Sequence, residues 1–132
     1  MVDAQAQRQT VLIVARSPVN LVVLSRITER ARMRPVTEAP ERAAPLVEKL
    51  RPSVIILDGG ADLHECDALF APISVSKRFS DRKTFAILLT PNNRPPADIL
   101  EGGIIDAIVA KPVTPDRLQP LLEKIRDMRA SQ

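Results

Sequence analysis

Short apolar runs alternate with longer stretches of helical period along this chain. Residues 11–15 (VLIVA) and 54–57 (VIIL) are unbroken apolar runs rich in β-branched side chains, the pattern of strands covered on both faces. Residues 85–89 and 104–109 read the same way, and residues 34–38 (RPVTE) form a weaker fifth strand. After the first run, SPVNLVVLSRITERA supplies Ser17 as an N-cap and Pro18 at the first helical position. Val19, Val23, Ile27 and Ala31 then recur every four residues, giving a helix over residues 18–32 with one apolar face.

The remaining helices carry prolines. PERAAPLVEKL predicts a second helix weakened by Pro45, and residues 63–79 hold a third interrupted by Pro72. RPPADILEGG has room only for a short fourth helix that stops at Gly102 and Gly103. A fifth begins at Thr114 and Pro115, with Leu118, Leu121, Leu122, Ile125 and Met128 as its apolar face, and Pro120 bends it or delays its start.

Strand then helix, five times over, with right-handed crossovers, predicts an α/β fold: a doubly wound five-stranded parallel sheet flanked by helices, (βα)5 and flavodoxin-like. Residues 10–129 form a single domain, between a disordered tail at 1–9 and a short tail at 130–132. In such sheets ligands sit at the carboxyl ends of the strands, near the switch in strand order. The residues just past each run are Ala15, Arg16, Asp58, Gly59, Thr90 and Lys111. Neither a GxGxxG after the first strand nor a GxxxxGK[ST] anywhere is present, which disfavours nucleotide binding.

Composition narrows the possibilities further. With 132 residues, 45% hydrophobic and 27% charged, the chain suits one soluble domain with a real core. Phe70, Phe79 and Phe85 are its only aromatic residues, too few for a base-stacking platform. The net charge of +3 is scattered except for Arg26, Arg30, Arg32 and Arg34, which do not share one helical face. No nucleic-acid partner is expected. A single cysteine, Cys66, and a single histidine, His64, give neither a disulfide nor a zinc site. No apolar run reaches the roughly 18 residues of a membrane span, and no signal peptide is visible, so a cytoplasmic protein without membrane contact is expected.

Asp58, Thr90 and Lys111 should meet at one sheet edge. Together they offer a carboxylate able to accept a phosphoryl group, a hydroxyl to hydrogen-bond it and an ammonium to neutralise it. SVIILDGG, AILLT, IVAKP and SPVN, in that placement, resemble the receiver domain of bacterial two-component response regulators over residues 10–129. The resemblance implies that Asp58 receives phosphate from a histidine kinase or phosphotransfer protein, that Thr90 is the switch hydroxyl and that Lys111 pairs with the phosphate. It further implies a cis Lys111–Pro112 bond, no conventional enzyme activity and signalling through a downstream protein partner. A homodimer is also compatible with it. With no residues after Gln132 for an output domain, the receiver is expected to stand alone.

The departures are as informative. The family places two acidic residues after the first strand to hold Mg²⁺; here those positions are Ala15 and Arg16. Asp58 with the Gly60 carbonyl should bind Mg²⁺ weakly at most, and no other cofactor is implied. Arg16 either directs its guanidinium at Asp58 as a substitute for the metal or points into solvent. Where the family carries an aromatic residue, three before the lysine, this chain has Ile108. Ile99, Leu100 and Ile108 are the expected output surface, with core burial the alternative for at least one. The competing functions are therefore a phosphorylated receiver and a phosphorylation-independent pseudo-receiver that works as an interaction module.

Overall fold

The computed structural model describes residues 9–60, 64–79, 84–91 and 102–130. In chain order the elements are β1 (Thr10–Val14), α1 (Pro18–Arg30), β2 (Arg34–Glu38), α2 (Pro40–Leu50) and β3 (Val54–Asp58). A 3₁₀ turn (Asp67–Leu69) then leads into α3 (Phe70–Phe79), followed by β4 (Phe85–Thr90), β5 (Ala107–Ala110) and α4 (Pro115–Ala130). The five strands pair in parallel in the order β2-β1-β3-β4-β5. Among the described residues no helix is long and apolar enough to cross a membrane.

Strand alternation divides the apolar residues between two cores. Val11, Ile13, Val54, Ile56, Ile87 and Leu89 face one side, under Leu24 and Ile27 of α1 and Leu118, Leu122 and Ile125 of α4. Leu12, Val14, Ile55, Leu57 and Leu88 face the other, under Ala43 and Val47 of α2 and Ile73 of α3. Every residue of β3 is buried, as expected for the middle strand of a sheet covered on both faces. Each fully buried Leu or Ile contributes about 1.5–3 kcal/mol through removal of its side chain from water.

Several helical details differ from expectation. Ile27 and Ala31 are buried as expected, but Val19 and Val23 are exposed, and Leu24 and Thr28 complete the inward face of α1 instead. A strict four-residue repeat drifts around a helix of 3.6 residues per turn, whereas spacings of three and four track one face. Met128 likewise falls outside the buried face of α4. Pro72 does not interrupt α3, because it is the third helical residue and its missing N–H would have had no intrahelical acceptor. Pro45 and Pro120 lie further inside α2 and α4, which nevertheless run through them, with both rings on the exposed side. Residues 104–106 precede β5 rather than opening it. The expected fourth helix, with Ile99 and Leu100, lies outside the described residues. So do residues 1–8 of the expected tail, while Gln9 is tied down: its carbonyl accepts from the Arg34 N–H at 2.8 Å and its side chain donates to Arg126 O at 2.9 Å.

β2 is an edge strand. Arg34 N–H and Glu38 C=O both bond toward β1, so by alternation the backbone groups of Pro35 and Thr37 face away from the sheet.

Candidate functional site

The strand order reverses beside β1, whose neighbours are β2 and β3, and this places a crevice at the carboxyl ends of β1 and β3. Asp58 closes β3 there and is 4% exposed. Thr90 closes β4 and is fully buried, and Lys111 follows β5, its N–H donating to Thr90 O at 2.7 Å. The Lys111–Pro112 peptide is cis. Asp58, Thr90 and Lys111 thus lie at the ends of three adjacent strands.

Three donors converge on the Asp58 carboxylate. Lys111 Nζ donates to Oδ1 at 2.8 Å, the Gly60 N–H to the same oxygen at 3.1 Å, and Asn20 Nδ2 to Oδ2 at 2.8 Å. Asn20 had no role assigned from sequence. Its position three residues after the Ser17 cap was the available signal: the cap accepts the Asn20 N–H at 3.3 Å and sets the first turn of α1 over the strand ends. Burial on its own would raise the Asp58 pKa, but the bonds from Lys111, Gly60 and Asn20 outweigh it and hold the carboxyl below its ordinary value. Asp58 is an anion already neutralised in place. Asn20 and Lys111 also line an open groove of about 460 Å³, with Val23, Leu89, Pro91 and Val113.

Behind the carboxylate, Cys66 Sγ donates to Asp58 O at 3.3 Å. Burial, with the charges of Asp58, Glu65 and Asp67 adding to it, pushes this thiol up to about 12. It is expected to react with a small disulfide reagent at neutral pH about a thousandfold more slowly than the same thiol, of pKa near 8.5, in the unfolded chain. Comparing labelling rates in buffer and in urea measures this, and equal rates would contradict the placement.

Arg16 does not turn to Asp58. It is half exposed, with Nη1 3.4 Å from Glu41 Oε2 and Nε 3.7 Å from Glu65 Oε2. Lys111 and Asn20 occupy the carboxylate that was one of its two expected positions, and the two glutamates attract its charge. Ala15 is buried, its N–H directed to Glu38 O. Gly60 has φ +75°, a left-handed conformation that favours glycine, and a Cβ there would fall 2.4 Å from Glu65 Cδ, so a larger residue would also have to displace the Glu65 side chain. Ile108 is partly buried against the second core.

Mg²⁺ fits this set poorly. Ala15 offers no side-chain oxygen and Arg16 brings a positive charge, and among the described residues no three Asp, Glu, His or Cys side chains cluster as a ligand set.

No protein-family model and no curated protein sequence matches the chain. Solved structures do. The pseudo-receiver domain of the CikA protein superimposes with a TM-score of 0.67 at 19% identity, over 89% of this chain and 96% of that one. A chemotaxis response regulator of Vibrio cholerae gives 0.70 at 22% identity, over 90% and 99%. A response regulator from Thermotoga maritima gives 0.68 at 16% identity, over 91% and 98%. The chain has the receiver-domain fold.

Proposed function

We propose that this protein is a signalling receiver module of a two-component pathway, acting in the cytoplasm through protein contacts, with Asp58 as its phosphoryl acceptor. The observation that carries this reading is the Asp58 carboxylate at the end of β3, in contact with Lys111 and beside the buried Thr90 at the end of β4. In the reaction an Asp58 oxygen attacks phosphorus, the bond from phosphorus to the donor breaks, and the leaving group keeps the electron pair. Lys111 and Asn20 then face the added negative charge, with Thr90 as the hydroxyl that follows it. The donor is a histidine kinase or phosphotransfer protein, and the output is a changed contact with a downstream protein. The chain's own chemistry ends with making and losing this acyl phosphate.

The mouth of the site supports a second reading. Ala15 and Arg16 stand where the resemblance implies a metal-binding pair, and the resting carboxylate is already neutralised. Both features suit a phosphorylation-independent interaction module.

Intact mass after incubation with acetyl phosphate and with candidate kinases, with and without Mg²⁺, separates the two. The acceptor reading expects one phosphoryl adduct that is absent from Asp58→Asn and little affected by Mg²⁺. Absence of an adduct under every condition, with partner binding retained by Asp58→Asn, would establish the interaction module instead.

A further inference from the structure

The charges at the mouth of the site are inverted relative to the arrangement that the resemblance implies. There, carboxylates follow the first strand and a metal ion lies between them and the acceptor. Here the cation follows the first strand and the carboxylates come from across the crevice. Glu41 belongs to the first turn of α2 and Glu65 to the segment after β3, so the Arg16 guanidinium joins three connections at one sheet edge.

Glu65 is fixed from the other side as well. Its N–H donates to Gly59 O at 3.1 Å, and its carboxyl group closes over Gly60 in the space that a Cβ would fill. The Gly60 N–H in turn holds Asp58 Oδ1. The Glu65 carboxylate thereby packs on the same glycine whose N–H holds the acceptor, and Arg16 is the positive charge set against it. The contacts of 3.4 and 3.7 Å are longer than the roughly 2.7–2.9 Å of a close charge-assisted bond. The guanidinium therefore acts as a loosely held charge.

We infer that Arg16 is a tethered cation standing in the place of a divalent ion, with Glu41 and Glu65 as its ligands. Its charge repels a second cation, and without it the Glu41 carboxylate and the Glu65 carboxylate against Gly60 become free for a hard divalent ion. Such ions bind through one or two carboxylates and retained waters. The inference concerns the charge of the mouth and stands whether or not Asp58 is phosphorylated.

Mn²⁺ alone is the probe, followed by paramagnetic broadening of backbone amide signals in ¹⁵N-labelled protein. Arg16→Ala is expected to bind Mn²⁺ at least about tenfold more tightly than the parent protein, a gain of about 1.4 kcal/mol, with broadening centred on Gly60 and Glu65. Arg16→Lys, which keeps the charge, should behave as the parent does. Adding Glu65→Gln to Arg16→Ala should abolish most of the gain. Equal Mn²⁺ affinity in parent and Arg16→Ala would overturn the inference, as would a gain that survives Glu65→Gln. Arg16 is more than half exposed, so its replacement leaves the fold in place, which the amide spectrum verifies directly.

Discussion

Lys111→Met is expected to destabilise the protein by about 3 kcal/mol at neutral pH, because it leaves the buried Asp58 carboxylate without its counter-charge. Asn20 and the Gly60 N–H still donate to Asp58, and this keeps the loss at the lower end for a broken buried pair. The pH dependence identifies the cause. In the parent the Asp58 pKa is lowered, so its contribution is present above the unfolded value of about 3.9 and is lost as pH falls through the lower native value. In Lys111→Met, burial is less compensated and the native pKa rises. The ionised carboxylate then penalises folding at neutral pH, and protonation relieves that penalty on acidification. The gap between the two proteins should therefore narrow between pH 7 and pH 4 in urea unfolding curves. A constant gap would assign the loss to packing of the lysine stem instead.

Ile56→Ala should cost about 4 kcal/mol, within the range for removing a large aliphatic side chain from a core that cannot collapse around the space. Ile56 is fully buried in the middle of β3, between β1 and β4 on the sheet and beneath α1 and α4. Neighbouring strands hold it on both sides, so relaxation is limited. Val22→Ala, on the exposed face of α1, should change stability by less than about 0.5 kcal/mol. Guanidinium unfolding midpoints of both variants test the contrast. A loss of under 1 kcal/mol for Ile56→Ala would place β3 outside the centre of the core.

The sheet was legible because fully buried strands write themselves as apolar runs, as in residues 54–57. Asp58, Thr90 and Lys111 were legible because each ends or directly follows such a run, and topology alone brings strand ends together. Side-chain partners were not. Proximity in the fold left Arg16 either facing Asp58 or in solvent, yet Glu41 and Glu65 reach it from distant positions in sequence. Asn20 was overlooked for the opposite reason: it lies inside a recognised motif, but its bond to Asp58 spans 38 positions and no periodicity encodes it. Counting in fours placed Ile27 and Ala31 correctly on the inward face of α1 but misjudged Val19 and Val23. The helical residues that pack, Leu24, Ile27 and Thr28, show that sheet contact decides which apolar stripe is used.

The position of Pro35 on β2 bears on how this protein behaves at high concentration. An open sheet edge invites another chain to add a strand, and successive additions lead to fibrils. On the outward side of β2 the two residues whose backbone groups face away are Pro35 and Thr37, and proline has no N–H to give. An incoming strand would find a single donor along the whole of β2, too few for a ladder. The proline within the weakest strand pattern of the sequence thus also keeps the β2 edge from templating the addition of a further chain.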